Sequence, residues 1–357
     1  MIPVTKPFVP PLSEYNKYLE AIWEREYFTN NGPLVQELEK RLKTYLDIKN
    51  ILFVSNGTIA LQLAIKVLGL KGEVITTPFS YVATTSSIVW EGCEPRFVDI
   101  DPETLNIDPN KIEEAITPET SAILATHVFG NPCDIDHIQE IADKHGLKVI
   151  YDAAHCFGTS YKGQSVLEYG DISTTSFHAT KLFHTVEGGA VCARDEDLNH
   201  RMSRMRNFGH AGYEEFKGVG INGKNSEFHA AMGLCNLNQV EKILQSRKKQ
   251  CLLYYELLND SPIQSIKIQA NCKWNYAYYP VIFENEALTL QVKKVLEKND
   301  IYPRRYFYPS LDTLDYVKTE KVNVSKDIST RIMCLPLYFD LTDNDQKKVS
   351  KIILEQI

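Results

Sequence analysis

One lysine, Lys181, stands where residue types and spacing most clearly suggest chemistry. It follows a β-branched run, Ile172–Thr175, that predicts a strand, and the pair Gly188-Gly189 after it predicts a turn. The tract between is too apolar for a solvated face, so we expect a partly desolvated amine that can form a Schiff base. The alternative is an ordinary surface lysine. The first interpretation points to a carbonyl cofactor, of which pyridoxal phosphate is the commonest.

Pyridoxal phosphate makes four demands on a protein, and the sequence offers a residue for each. It needs an amine for its aldehyde, an acid beside its pyridine nitrogen, a phosphate cradle and an aromatic side chain against its ring. The candidates are Lys181, Asp152, the Gly57–Thr58 turn with Ser176, and Tyr81. Asp152 could instead only cap a turn. His155 could contact the cofactor's phenolic oxygen or simply pack in the core.

The phosphate cradle is predicted from a strand, a turn and a helix in succession. The apolar run Ile51–Val54 predicts the strand, Ser55-Asn56-Gly57-Thr58 the turn, and Ile59–Leu68 the helix. A helix N-terminus offers unpaired N–H groups and a positive dipole end to an anion. The alternative is an ordinary strand-to-helix turn that Thr58 merely caps.

Short apolar strands alternate with helices along the first two thirds of the chain, which predicts a mainly parallel sheet with helices on both faces. Further strands are predicted at 74–77, 96–100, 122–125 and 148–151, and further helices at 13–27, 34–46, 110–116 and 135–145, the last ended by Gly146. Ligands of such sheets lie at the carboxyl ends of strands, where Thr58, Tyr81, Asp152 and Lys181 are all expected.

A smaller C-terminal α+β domain is predicted after a mostly helical stretch, 226–258. Its elements are an aromatic-rich strand at Trp274–Phe283, a helix at 288–299, an apolar segment at 332–337 and a final helix at 346–355. The predicted domains are therefore 1–240, the large cofactor-binding domain with an extended N-terminal arm, and 241–357.

Composition narrows the class of protein. The chain has 357 residues, 43% of them hydrophobic, and a net charge of −7, so we expect no nucleic-acid partner. Its 8 cysteines form no C-x-x-C pair, which favours reduced thiols in a cytoplasmic protein and no metal site. Met1–Pro11 resembles neither a signal peptide nor a membrane anchor, and no segment is predicted to cross a membrane.

Six segments together resemble the DegT/DnrJ/EryC1/StrS aminotransferases, a family of fold-type-I pyridoxal-phosphate enzymes that act on nucleotide-linked keto sugars. The segments, in the family's order, are Ser-Asn-Gly-Thr (55–58), Thr-Pro-Phe-Ser-Tyr-Val-Ala-Thr (77–84), Asp-Ala-Ala-His (152–155), Ser-Phe-His-Ala-Thr-Lys (176–181), Glu-Gly-Gly-Ala (187–190) and Pro-Leu-Tyr (336–338). Each is common alone, but the set is specific and spans nearly the whole chain.

The resemblance implies roles for individual residues. Lys181 is the Schiff-base lysine, Asp152 the partner of the pyridinium and Tyr81 the stacking residue, while Gly57, Thr58 and Ser176 bind the phosphate. In the family, the Asn of a Gly-x-Asn segment, here Asn222, crosses a dimer interface to the partner's phosphate, which implies a homodimer with shared active sites. On sequence alone Asn222 could equally be a loop residue that tolerates a left-handed conformation.

Two segments differ from the family's usual pattern and bear on the substrate. After Gly-x-Asn the family usually has a Tyr/Ser-Arg pair, whereas this chain reads Gly220-Ile-Asn222-Gly-Lys-Asn225. The tract Arg304-Arg305-Tyr306-Phe307-Tyr308-Pro309 replaces a loop that more often contains histidine. Its arginines and tyrosines are predicted to bind substrate, the arginines at the nucleotide diphosphate, because guanidinium forks suit phosphate oxygens; a basic surface pair is the alternative.

The function implied is amino transfer from L-glutamate to a nucleotide-linked, dTDP-type keto-6-deoxyhexose, with C4 favoured over C3, for an O-antigen or antibiotic sugar. One alternative is a pyridoxal-phosphate dehydratase of deoxysugars, in which histidine replaces the lysine. The other is a non-catalytic regulator or scaffold of the same fold. A dehydrogenase is rejected, because the G-x-G-x-x-G match at Gly218–Gly223 follows a polar run instead of a strand.

Overall fold

Helices and strands alternate along most of the chain in the computed structural model, which describes residues 1–357. The helices are α1 (Leu12–Arg25), α2 (Pro33–Leu46), α3 (Gly57–Val67), α4 (Val82–Trp90), α5 (Ile112–Ala115), α6 (Ile135–His145), α7 (Glu196–Met205), α8 (Glu227–Leu237), α9 (Val240–Leu258), α10 (Glu286–Lys298), α11 (Asn323–Arg331) and α12 (Asp343–Leu354). The strands are β1 (Ile2–Pro3), β2 (Leu52–Val54), β3 (Glu73–Thr76), β4 (Glu94–Phe97), β5 (Thr120–Thr126), β6 (Lys148–Asp152), β7 (Ser160–Tyr161), β8 (Gln164–Ser165), β9 (Ile172–Ser176), β10 (Gly189–Cys192), β11 (Cys272–Lys273), β12 (Tyr279–Ile282), β13 (Ile301–Tyr302) and β14 (Ile332–Leu335).

A seven-stranded sheet in the order β2-β10-β9-β6-β5-β3-β4 organises the first two thirds of the chain. Every pairing is parallel except those of β10, which runs antiparallel to both β2 and β9. Buried hydrophobic clusters cover both faces of this sheet. The predicted α/β fold with a mainly parallel sheet between helices is confirmed.

Local sequence explains how individual elements begin and end. Helix α6 has the predicted limits, because the Asp134 side chain accepts a hydrogen bond from the His137 N–H at its start and Gly146 adopts a left-handed φ of 67° at its end. Helix α3 starts two residues earlier than predicted. Its N-cap is Asn56, whose Oδ1 accepts from the Ile59 N–H at 2.8 Å, so the alternative in which Thr58 merely caps the helix is wrong.

Other expectations also need correction. Of the expected strand Trp274–Phe283, only Tyr279–Ile282 is a strand, β12. The residues before it are irregular, because the Asn275 side chain donates to the backbone carbonyls of His155 and Phe157 and Tyr276 has a positive φ of 55°. The mostly helical stretch 226–258 is two helices, α8 and α9. Gly189 is not in a turn but is the first residue of β10.

The C-terminal third packs helices α9, α10 and α12 around the antiparallel pair β12–β14, with a separate cluster of buried side chains that includes Tyr254, Val281 and Met333. The first residues of the chain join this part, because β1 pairs in parallel with β13. The division at residue 240, which falls at the start of α9, stays a prediction. None of the helices combines the length and apolar character needed to cross a membrane.

Candidate active site

Three side chains stand in register at the carboxyl edge of the central sheet. Thr126 on β5 pairs with Asp152 on β6, and Asp152 pairs with Thr174 on β9. Because parallel strands end at the same edge, all three face one cavity of about 260 Å³. The cavity thus lies where the sequence predicted a site.

Asp152 is held by two donors inside this cavity. The Thr84 hydroxyl donates to Asp152 Oδ2 at 2.7 Å, and the Ala154 N–H donates to Oδ1 at 3.1 Å. Burial raises the pKa of the carboxyl, while these two hydrogen bonds and the charge of Lys181 act in the opposite direction. A buried, oriented carboxyl of this kind suits a partner that brings its own proton, such as a pyridine nitrogen.

Lys181 lines the same cavity in the tight turn that follows β9, where its N–H donates to the His178 carbonyl at 2.9 Å. Burial lowers the pKa of its amine to about 8, against an opposing effect from the Asp152 carboxylate. About a tenth of the amine is then uncharged at pH 7. The lowered pKa agrees with the partly desolvated amine expected from the sequence, and the Schiff-base role of Lys181 stays a prediction.

An anion cradle lies at the N-terminus of α3. The N–H groups of Gly57 and Thr58 belong to the first turn, which has no carbonyl partners within a helix. A Cβ at position 57 would lie 3.1 Å from the Cβ of Ser176, so glycine keeps this corner open. Likewise a Cβ at Gly189 would lie 2.5 Å from the Asn56 carbonyl carbon, which explains the close approach of α3 to β10.

His155 borders the cavity from a cluster of aromatic rings. Its ring lies 5.8 Å from that of Phe307 at an angle of 8°, and 4.6 Å from that of Tyr278. Burial holds the pKa of His155 well below its usual value, so the imidazole is neutral. Its Nδ1 is buried without a hydrogen-bond partner in the protein, which leaves one polar atom for a ligand.

Tyr81, Arg304 and Tyr306 form the more open side of the cavity. Tyr81 is the N-cap residue of α4 and is 55% exposed, so its ring is accessible to a ligand. The guanidinium of Arg304 lies 4.6 Å from the centre of the Tyr306 ring. Arginine is thus presented on a rigid aromatic support.

Three residues predicted for the site lie outside this cavity. Arg305 turns away to Glu286 and to the Thr330 carbonyl, both at 2.7 Å, and its guanidinium covers the ring of Tyr308 at 3.6 Å. Nη2 makes both hydrogen bonds, and they hold the guanidinium at Glu286 and Thr330 instead of in the cavity, where it was expected to meet a diphosphate. Asn222 is exposed in the segment before α8, where its side chain accepts from Lys224 Nζ at 2.9 Å.

Sequence reasoning assigned no role to several residues that the structure brings to the site. Thr84 lies within a motif already noted, and its position inside the first turn of α4 was a usable signal. Tyr278 and Phe307 come from the C-terminal third, and no local pattern points to the cavity. Glu187 was noted only as the start of Glu-Gly-Gly-Ala, yet its side chain lines the cavity.

The residues fit pyridoxal phosphate. The cavity offers an amine, a buried carboxyl, a helix N-terminus kept open by Gly57 and a neutral imidazole with an unpartnered buried nitrogen. Each matches one functional group of the cofactor. The assignment of individual roles stays a prediction.

Comparison with known proteins agrees with this chemistry. The sequence pattern of the DegT/DnrJ/EryC1/StrS aminotransferase family matches residues 12–354. A dTDP-4-amino-4,6-dideoxy-D-glucose transaminase of Shigella dysenteriae is 44% identical over 99% of this chain and 98% of its own length. The transaminase of the same name from Escherichia coli is 40% identical with the same coverage.

Solved structures show the same fold. The crystal structure of DesI in the presence of its TDP-sugar product superposes with a TM-score of 0.94, at 32% identity, over 99% of this chain and 93% of that one. The agreement extends over both the sheet and the C-terminal third.

Proposed function

The chain belongs to the DegT/DnrJ/EryC1/StrS aminotransferase family, and we propose that it transfers an amino group from L-glutamate to C4 of a dTDP-linked 4-keto-6-deoxyhexose. The observation that carries the proposal is that the half-buried Lys181 lines one cavity with the buried carboxyl of Asp152. The names of the two transaminases that are 40–44% identical support the dTDP sugar and the C4 position.

Pyridoxal phosphate, when bound, supplies an aldehyde that reacts with amines and a ring that takes up the electron pair released at the substrate carbon. Lys181 is the amine that holds the cofactor. With the cofactor bound, its Nζ would serve as the base that takes a proton from the donor's carbon and as the acid that gives one to the sugar carbon, since a pKa near 8 allows both protonation states at neutral pH.

The other residues of the site bind and orient the cofactor and the substrate. Asp152 keeps a negative charge at the pyridine nitrogen, and the Thr84 hydroxyl fixes the direction of that carboxylate. Gly57, Thr58 and Ser176 receive the phosphate at the start of α3. Tyr81 would cover one face of the ring, and the unpartnered Nδ1 of His155 would meet the phenolic oxygen. Arg304 with Tyr306 binds the nucleotide-sugar substrate.

We propose a homodimer in which each site is completed by the partner chain. The cavity as formed by one chain leaves Asn222 exposed and outside, although the family pattern gives the corresponding residue a phosphate contact. A set of exposed apolar residues precedes Asn222, which suits a surface covered by a second copy: Phe208, Tyr213, Phe216, Val219 and Ile221.

The test of the reaction is direct. The purified protein with pyridoxal phosphate and L-glutamate should convert dTDP-4-keto-6-deoxy-D-glucose to a 4-amino sugar, identified by mass spectrometry and NMR. Borohydride treatment should leave the cofactor on the peptide that contains Lys181. A 3-amino product would overturn the C4 assignment, and cofactor on another lysine would overturn the assignment of Lys181. Amination only of GDP- or UDP-linked sugars would overturn the dTDP assignment.

A further inference from the structure

The turn between β9 and β10 contains a strained residue. Val186 has a positive φ of 68°, a left-handed conformation that a β-branched side chain rarely adopts. Residues held in such conformations cluster at functional sites, and they persist only where the surroundings fix them. The strained conformation therefore suggests that this turn holds a functional side chain in position.

Hydrogen bonds on both sides of Val186 hold the turn in place. The Ala179 N–H donates to the Val186 carbonyl at 2.7 Å, and the Phe177 N–H donates to the Gly188 carbonyl at 2.8 Å. The carbonyl of Glu187 itself accepts from Thr185 Oγ1 at 2.8 Å and from Asn225 Nδ2 at 3.0 Å. The backbone of Glu187 is thus fixed by four contacts around one strained residue.

The side chain that this turn presents is the second carboxylate of the cavity. Asp152 and Glu187 are the acidic residues among those that line it. No hydrogen bond of ordinary length reaches the Glu187 carboxylate from the protein, and His178 Nε2 lies 3.5 Å from its Oε1. Glu187 therefore keeps its acceptor capacity for a ligand.

His178 is locked beside Glu187 in one tautomer. The Thr180 N–H donates to His178 Nδ1 at 3.2 Å, and the Thr180 hydroxyl lies 2.8 Å from the same nitrogen. A ring nitrogen that accepts an N–H bond carries a lone pair, so the ring hydrogen of the neutral imidazole is on Nε2, facing Glu187. His178 thus helps to hold the carboxylate at the cavity and leaves most of its hydrogen-bond acceptor sites free.

We propose that Glu187 selects the sugar substrate by accepting a hydrogen bond from the hydroxyl next to the carbon that is aminated, the C3 hydroxyl of a 4-keto sugar. This inference rests on the proposed function. A carboxylate is a strong acceptor for a neutral hydroxyl, whereas it repels the two carboxylates of glutamate. Glu187 therefore acts in the sugar half of the reaction and not in the donor half.

The experiment compares two substrates in two proteins. Wild-type enzyme and Glu187→Gln are each given dTDP-4-keto-6-deoxy-D-glucose and its 3-deoxy analogue, and kcat/KM for the sugar half-reaction is measured. Hydrogen bonds to charged groups correspond to preferences of roughly 10- to 100-fold. We expect wild type to prefer the hydroxylated sugar by about this factor and Glu187→Gln to lose most of that preference. The spectral change with L-glutamate should stay as in wild type.

Glu256→Gln is the matched control, because Glu256 is an exposed carboxylate on α9, outside the cavity. It should keep the full wild-type preference. Glu187→Ala is also needed, because the side-chain oxygen of glutamine can still accept a hydrogen bond from the C3 hydroxyl and so preserve part of the preference. If both Glu187 variants keep the wild-type preference while wild type makes the amino sugar, the inference is wrong and the proposed function stands. If wild type aminates no dTDP-linked keto sugar, both are wrong.

Discussion

Thr84 donates a hydrogen bond of 2.7 Å to Asp152, a residue 68 positions further along the chain. Thr84 lies in the first turns of α4, which follows β3, whereas Asp152 ends β6 on the far side of β5. The contact therefore spans two strand positions of the sheet. It makes Thr84 a positioning residue for the carboxylate that we propose lies at the pyridine nitrogen.

Replacement of Thr84 by valine should raise the pKa of Asp152 further, because the lost hydrogen bond lowers that pKa in the native protein. Less carboxylate is then present at a given pH, so the acid limb of the kcat/KM profile should move to higher pH. The carboxylate also loses the donor that fixes its direction, so we expect the plateau value of kcat/KM to fall by about ten-fold, the scale of one hydrogen bond to a charged group.

Two further variants separate the effect of the hydrogen bond on Asp152 from the effect of a changed side chain on packing. Thr84→Ser keeps the hydroxyl and should restore the wild-type pH profile. Thr85→Val changes the adjacent buried threonine, whose hydroxyl has no partner, and should leave the profile unchanged. An unshifted acid limb in Thr84→Val would show that the hydrogen bond does not tune Asp152.

The rate at which apo-protein takes up pyridoxal phosphate should depend on the pKa of Lys181. Its folded pKa of about 8 lies below the ordinary 10.5, so the uncharged amine should appear as pH rises through 8. We expect the attachment rate, followed by cofactor absorbance, to rise between pH 7 and 9 and then level off. In Asp152→Asn the midpoint should fall, since the Asp152 charge raises the pKa of Lys181. A midpoint above pH 10 would contradict a desolvated amine.

Local sequence was enough to place Asp152, Lys181 and the Gly57–Thr58 turn at one edge of the sheet. Each follows or ends a strand whose apolar run is readable, and parallel strands bring their carboxyl ends together. The helix limits of α6 followed from an Asp cap and a terminal Gly for the same local reason.

The rest of the site depends on contacts between distant segments, which no local pattern encodes. Phe307 and Tyr278 reach His155 only because the C-terminal third packs over the cavity. Arg304 and Arg305 look alike in the sequence, yet backbone pairing of Arg304 with Cys334 sends their side chains in different directions. Glu187 is positioned by a turn in which Val186 has a positive φ, and the sequence of that turn does not predict this conformation.

Arg304 and Arg305 offer a matched pair of substitutions. Arg304→Gln should raise KM for the nucleotide sugar by about ten-fold without changing the melting temperature, because its guanidinium lines the cavity. Arg305→Gln should leave KM unchanged and lower the free energy of unfolding by about 1–2 kcal/mol, since Arg305 bonds to Glu286 and Thr330 at only 11% side-chain exposure. Steady-state kinetics and thermal unfolding on both variants check this. A raised KM in Arg305→Gln with an unchanged KM in Arg304→Gln would show that Arg305, and not Arg304, binds the substrate.

Chain exchange tests the proposed dimer. Suppose that Asn222 of one chain completes the phosphate site of the other. When a Lys181→Ala chain pairs with an Asn222→Ala chain, both substitutions then affect the active site of the Lys181→Ala chain. In a mixed dimer, one site carries both defects and the other carries neither. Random exchange should then restore about a quarter of wild-type activity, since half of the dimers are mixed and each has one intact site.

The measurement is the activity of the two inactive variants, mixed after mild dissociation and reassociation, with mass determined by light scattering. Lys181→Ala mixed with Asp152→Asn is the control, because both of these residues come from the same chain's site. Every site in that mixture keeps a defect, so activity should not return. Recovery in the control would point to contamination or reversion, whereas recovery only with Asn222→Ala identifies a shared site. A fully active monomer, or an Asn222→Ala enzyme with unchanged affinity for pyridoxal phosphate, would exclude Asn222 from the partner's cradle and leave Gly57, Thr58 and Ser176 to hold the phosphate alone.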